Sequence, residues 1–370
     1  MKILKTKDNK ASNASVSKQV IKSVNKPLRI RREIKVEDLV PSPSTTFNLE
    51  CSGHVEGAFL KGTTVNIIGD SHAGKTLFCF ATLAECNMTK SFDKHRFIFD
   101  DVEIANEFDL GYLFGQDFEE RIEVDSFSRT IESLSDNIAT ALKGKEPFIY
   151  IVDSADALTS EAADKLAAEN QKKRDKGNEV GGSYGDGKAR AFSDLFKRHN
   201  QTLGKHGSNL IIISQTRDNL GFGAQFNPKV RSCGKALKFY SFHEVWLAMQ
   251  KKEKKGDRTY LTNVQAKISK NKLTGRHGCA YFPILFDYGI DNITSCITFL
   301  VDEKFWSAVP KKGIDTKGFY PGNDPISFNQ LVKYIEENEL EHKLALACKA
   351  CYDNIIVSMT PKRKFKYTKR

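Results

Sequence analysis

The chain has 370 residues and a mass of 41.6 kDa, enough for one sizeable α/β domain with appendages or for two compact domains. It carries 57 Lys and Arg against 46 Asp and Glu, a formal net charge of +11, so a polyanionic partner is expected, nucleic acid ahead of a membrane surface. Apolar residues at 40% exclude wholesale disorder, and no run of about 18 apolar residues is present to span a bilayer. The polar start Met1-Lys2-Ile3-Leu4-Lys5 lacks the apolar stretch of a secretion signal, so a cytoplasmic location is expected, the host cytoplasm if the chain is viral.

Residues 1–45 are rich in Lys, Ser and Asn, with a basic cluster at Arg29, Arg31, Arg32 and Lys35, and read as a mobile arm with a role in oligomerisation. Four near-continuous apolar runs follow, 65–68, 96–99, 148–152 and 210–213, as expected for strands buried on both faces. Helical patterns lie between them, for example over 77–88 and 131–142. This alternation predicts an α/β core over 46–300, a mainly parallel central sheet flanked by helices. Residues 171–190 interrupt the pattern, charged first and then glycine-rich, and are expected to be a long functional loop. Residues 244–249 and 260–269 read as two more strands around a charged hairpin at 251–258. A helical segment at 327–352 suggests a small C-terminal subdomain over 301–360, followed by a basic tail, 361–370, with Phe365 and Tyr367 interleaved. The eight cysteines are scattered and read as reduced thiols. Cys348 and Cys351 form the one close pair, and without a second pair they fit two turns of a helix better than a zinc site.

Chemistry is most sharply written at Gly69-Asp70-Ser71-His72-Ala73-Gly74-Lys75-Thr76, which satisfies G-x-x-x-x-G-K-[ST] between a strand and a helix. Glycines let successive backbone N–H groups turn inward around phosphate oxygens, and the following helix offers its positive end. Lys75 is expected to reach the β- and γ-phosphates of ATP, and the Thr76 hydroxyl to coordinate Mg²⁺. The apolar run 148–152 ends in Asp153, a carboxylate placed beside the phosphate loop and suited to the Mg²⁺ shell. Glu103, just after the strand at 96–99, is the first candidate to polarise an attacking water, with Asp101 as the alternative; spacing does not separate them. Gln215, at the tip of the strand at 210–213, could sense hydrolysis through a hydrogen bond to the γ-phosphate. The segment behind it holds Arg217, Lys229 and Arg231 with Phe222 and Phe226, a composition suited to single-stranded nucleic acid.

These residues resemble the RecA-type recombinase family. The likeness covers about residues 45–305 and rests on Ser44-Thr45-Thr46-Phe47-Asn48-Leu49 with Lys61-Gly62, on 148–159, on Ile213-Ser214-Gln215-Thr216-Arg217, and most specifically on Gly234-Lys235-Ala236-Leu237-Lys238-Phe239-Tyr240. The resemblance implies that Glu103 is the catalytic carboxylate and Gln215 the switch between ATP and DNA. It also implies a first DNA loop at 175–190, with Lys188 and Arg190, and a second at 218–232. Lys270 and Lys272 match a pair of lysines that reach the ATP of a neighbouring subunit; at i and i+2 on a strand they project from one face. Cys233 stands where the family usually has a glycine, the first loop is longer and more charged than usual, and the tail is basic where acidic tails are common; these departures point to a bacteriophage member. The arm has little similarity to the family. The expected protein is a DNA-dependent ATPase that forms a homo-oligomeric filament on single-stranded DNA and takes double-stranded DNA as second substrate. A ring-forming motor or helicase, or a mediator that exchanges no strands, is the alternative.

Overall fold

The computed structural model describes residues 34–105, 108–124, 127–177, 186–219, 225, 229–231, 234–322 and 324–363. The basic arm up to residue 33, the glycines at 181, 182 and 185, Phe222, Phe226, Cys233 and the tail from 364 therefore lie outside the described residues. The chain divides into two units, 1–35 and 36–370. Every helix and strand among the described residues belongs to the second unit.

In chain order, β1 (Leu39–Val40), α1 (Thr45–Ser52) and β2 (Phe59–Leu60) lead into β3 (Thr64–Gly69), α2 (Lys75–Asn87) and β4 (Arg96–Asp101). Two short helices, α3 (Leu110–Phe114) and α4 (Gln116–Glu119), precede β5 (Ile122–Glu123), α5 (Ile131–Ala141) and β6 (Phe148–Asp153). Next come α6 (Glu161–Asp175), α7 (Asp186–His206), β7 (Asn209–Asp218), β8 (Lys229–Arg231) and α8 (Gly234–Tyr240). The long strands β9 (His243–Lys255) and β10 (Arg258–Asn271) are followed by β11 (Cys279–Leu285), β12 (Gly289–Ile290) and α9 (Asn292–Asp302). A small hairpin, β13 (Ser307–Val309) with β14 (Gly313–Asp315), and the helices α10 (Phe328–Glu337) and α11 (Glu341–Met359) complete the unit.

The main sheet has the order β12-β11-β10-β9-β3-β7-β6-β4-β5, with β8 paired to β7. From β9 to β5 neighbouring strands are parallel; β10, β11 and β12 extend the sheet antiparallel. This is the expected α/β core with its mainly parallel sheet. Strand periodicity explains why both faces are buried. In β6, Ile149 and Ile151 enter one core with Phe78 and Phe80 of α2, while Phe148, Tyr150 and Val152 enter another with Ile138 of α5 and Phe192 and Phe196 of α7. Helix α5 begins where it does because Thr130 and Ser133 form a reciprocal capping box.

Three expectations need correction. The two ends of the expected loop at 171–190 are helical, since α6 runs to Asp175 and α7 starts at Asp186, while 178–185 lie outside the described residues. Ser160 caps α6, and its Ala, Glu, Gln and Lys residues are good helix formers that need no buried face. The charged hairpin at 251–258 is strand almost throughout, with only Gly256 and Asp257 between β9 and β10, because β10 pairs with β9 up to Lys255. The C-terminal helical segment is two helices broken at 338–340, the second reaching Met359. They pack with α1 and α9 around Trp306, Leu49, Ile297, Leu331 and Cys348, with Cys351 also in this core. Among the described residues, no helix is long and apolar enough to cross a membrane.

Candidate active site

A cavity of about 290 Å³ opens at the C-terminal ends of β3, β4, β6 and β7. It is lined by Lys75, Thr76, Asp101, Glu103, Asp153 and Gln215, six side chains that sequence reasoning chose from four separate segments; Ser71 and His72 add to its wall. Parallel strands collect these residues, because every strand of the run presents the same end to the same edge.

The phosphate loop turns through Gly74 in the left-handed region (φ 78°), where a side chain would be strained and a Cβ would also meet Ile284. At Gly69 a Cβ would come 2.5 Å from the Leu247 carbonyl oxygen, so β3 leaves the sheet where only glycine fits. Lys75 opens α2 and folds back so that Nζ donates to the Asp70 carbonyl at 2.8 Å. Burial lowers its pKa, against the opposing pull of the Asp153, Glu103, Asp156 and Asp70 charges. Thr76 Oγ1 donates to Asp153 Oδ2 at 2.5 Å. Asp153 is pushed up to about 6, first by burial and further by the charges of Glu103 and Asp101, while the Thr76 bond and Lys75 act the other way. A half-buried carboxylate made this costly by its neighbours, next to a hydroxyl, is a hard-oxygen pair suited to Mg²⁺, which takes one or two protein ligands and fills its shell with water and phosphate oxygens. The residues present therefore fit both the cation and a phosphate chain.

Glu103 follows β4 in a turn whose N–H donates to the Asp153 carbonyl at 3.2 Å. Its Oε1 accepts from the Gln215 side-chain amide at 3.0 Å and from the Ser154 hydroxyl. Ser154 escaped sequence reasoning, although it follows Asp153 directly. Asp101 also faces the cavity, so the structure leaves both carboxylates beside it. Asp100 does not face it: it is buried, accepts from Ser128 N–H at 2.9 Å and Tyr150 hydroxyl at 2.8 Å, and belongs to the core beneath the site.

The basic residues proposed for DNA separate into groups. Arg217 is exposed at the end of β7, with its guanidinium 4.0 Å from Asp156. Lys229 is exposed on β8 and pairs with Asp70 at 3.2 Å and Asp218 at 3.3 Å, while the Thr216 hydroxyl also donates to Asp70. The stem behind Gln215 is thus tied to the phosphate loop, and Asp70 serves that stem instead of lining the cavity. Arg231 overturns the expectation of a free cation. Its side chain is 9% exposed and bonds Glu244 at 2.6 Å, because a buried carboxylate on β9 needs a partner. On α7, Lys188 donates to the Asp156 carbonyl at 2.8 Å and Arg190 is exposed.

Lys270 and Lys272 lie elsewhere. Gly69 pairs with Leu247, whereas Lys270 pairs with Glu244, three residues back along β9 or about 10 Å. Both Nζ groups reach the Phe239 carbonyl at the C-terminus of α8, on the face opposite α2, and Lys270 also reaches the Lys238 carbonyl. Lys270 is held down to about 8 by burial first and by the Lys272 charge.

A family model described as the RecA N-terminal domain matches residues 10–291. The chain belongs to the RecA family. The match begins well inside the arm, earlier than the motifs alone indicated. Similar relatives include Protein RecA of Arthrospira platensis, 26% identical over 348 residues that cover 90% of this chain and 86% of the relative. Protein RecA of Trichodesmium erythraeum is 26% identical over 83% of this chain and 79% of its own length, and that of Nostoc punctiforme 27% over 76% and 72%.

Proposed function

We propose that the chain is a DNA-dependent ATPase of the recombinase kind, which assembles as a filament on single-stranded DNA and pairs it with a homologous duplex. The observation that carries this reading is the contact between Gln215 and Glu103. One partner stands in the cavity suited to ATP, and the other begins the stem that bears Arg217 and Lys229. Occupancy of the cavity and the position of that stem are therefore linked through this hydrogen bond, beside the contacts of Thr216 and Lys229 with Asp70 of the phosphate loop.

In this reading Lys75 and the loop N–H groups hold the β- and γ-phosphates, and Thr76 and Asp153 hold Mg²⁺, which when bound neutralises phosphate charge. Glu103 orients the attacking water and takes up its proton, while Gln215 trades its bond to Glu103 for one to the phosphate. Lys270 and Lys272 are too far back along the sheet to serve their own cavity, which supports their proposed role at the cavity of an adjoining subunit. Cations delivered in trans would make turnover depend on assembly. The arm over 1–45 is the proposed assembly segment, and Arg190 and the basic tail are proposed additional DNA contacts.

Electron microscopy with ATP and single-stranded DNA tests the reading: helical filaments are expected, and closed rings or unassembled protein would reject it in favour of a motor or a mediator. Mixing tests the shared site. Glu103→Gln subunits and Lys270→Ala/Lys272→Ala subunits should each be nearly inactive, yet regain part of the activity when co-assembled. No recovery in confirmed mixed filaments would remove the trans role of the lysines.

A further inference from the structure

Asp156 lies in the turn after β6, outside the cavity, and three contacts converge on it. Its Oδ2 accepts the backbone N–H of Gln215 at 2.7 Å, its Oδ1 lies 4.0 Å from the Arg217 guanidinium, and its own carbonyl accepts from Lys188 Nζ at 2.8 Å. The carboxylate side chain is 12% exposed and Arg217 is 69% exposed. The turn itself is braced, since Ala155 N–H donates to the Ile213 carbonyl at 2.9 Å and Ala157 N–H to the Ser154 carbonyl at 3.1 Å.

A carboxylate with so little water must be satisfied by the protein, and a charge-assisted bond from a backbone N–H is short and directional. That bond fixes the Gln215 backbone, and so the point from which its side chain reaches Glu103. The second partner, Arg217, is reached at the edge of ion-pair distance and stands in water, where such a pair is weak and open to competition. A nucleic-acid phosphate can therefore draw Arg217 away without disturbing the backbone bond. Asp156 then has the Gln215 N–H as its main remaining side-chain partner, and the bond that positions Gln215 is strengthened. Lys188 brings α7, the helix behind the first glycine-rich segment, to the same turn.

We infer that Asp156 is a positioning residue that joins both basic segments to the nucleotide cavity, fixing the Gln215 backbone, and so the reach of its side chain into the cavity, when nucleic acid takes Arg217. This rests on the function proposed above, because it supplies a path for DNA to act on ATP turnover. Nothing in the phosphate-loop or strand-end motifs requires a carboxylate at this position.

The test is the ratio of ATP turnover with saturating oligo(dT) to turnover without it, together with hydrogen exchange at the Gln215 amide. Asp156→Ala should cut the ratio about tenfold or more and deprotect the amide. Asp156→Asn keeps an acceptor for the N–H but no charge for Arg217, so it should retain protection and lose about two- to fivefold of the ratio. Arg217→Ala should raise the oligo(dT) concentration needed for half-maximal stimulation and, because no arginine is left to be drawn from Asp156, lose about the same two- to fivefold of the saturated ratio as Asp156→Asn. If Asp156→Ala does not fold, Asp156→Asn decides, and an unchanged ratio in it overturns the inference. So does an Asp156→Ala protein that keeps the wild-type ratio, or one whose two rates fall by the same factor, the mark of a merely structural residue. A wild-type protein that hydrolyses ATP without any response to oligo(dT) overturns the functional reading and this inference together, which distinguishes the two failures.

Discussion

At the C-terminal edge of the parallel strands, Lys75, Asp101, Glu103 and Asp153 share one cavity. Around Trp306, α1, α9, α10 and α11 bring together Leu49, Ile297, Leu331, Cys348 and Tyr352. The first region crowds charges until burial and like neighbours push the Asp153 carboxyl up to about 6, while burial lowers the pKa of Lys75 against the pull of the carboxylates around it. The second is almost wholly apolar, with the Trp306 ring 5.2 Å from that of Phe319. Stability and chemistry are thus held apart in one fold. The strand edge carries electrostatic cost that a bound cation and phosphate chain would relieve, and the helical layer contributes burial without a site.

The comparison breaks if substitutions in the two regions behave alike. The largest expected effect is at Glu103→Gln, which should lower ATP turnover by about 10²–10⁴-fold, measured in a DNA-stimulated assay, with binding of a non-hydrolysable analogue retained and no loss of melting temperature. A larger loss in Asp101→Asn would exchange the roles of the two carboxylates. Trp306→Ala should do the opposite, removing about 3–5 kcal/mol of stability in denaturant unfolding while leaving KM for ATP unchanged at low temperature.

A smaller effect sharpens the picture at the back of the sheet. His243 is fully buried near Phe59 and Phe242, and burial holds its pKa down to about 3. A base lowered on folding contributes stability that is complete above its unfolded pKa, about 6.5, and is lost as pH falls from there toward 3. Between pH 7 and pH 4 that is about 3 kcal/mol, so His243→Leu should flatten the acid limb of the stability curve by about that amount. An unchanged acid limb would show that the imidazole is not what acid attacks. The smallest effect is at Lys229→Ala, where an exposed cation is lost: the slope of log affinity against log salt for single-stranded DNA should fall by about one unit. Arg231→Ala should instead destabilise the fold, because it leaves Glu244 buried without its cation.

Much of the fold could be read before its three-dimensional form was known, for reasons particular residues make clear. The run 148–152 is apolar at every position because both faces of β6 are covered, and a strand of that kind ending in Asp153 announces its own polar edge. The phosphate loop was equally plain, since its glycines answer a local backbone demand that a short pattern captures. The extent of α6 was obscured by its charge: a helix with no buried residue shows no apolar period to count.

By itself, then, the sequence determined the strand cores, the phosphate loop, the carboxylate at the end of β6 and the basic balance, because each depends on residues within a few positions of one another. The tertiary structure alone decided who meets whom across long separations: Gln215 with Glu103, Asp156 with Gln215, Lys229 with Asp70, and Arg231 with Glu244. Charge composition identifies cations suited to DNA, but whether each faces water or a buried carboxylate depends on strand register and crossover. Arg231 shows the physical reason: placing Glu244 on β9 beside β3 and burying it made the nearest arginine a structural partner, since an unpaired buried charge costs more than an exposed cation contributes.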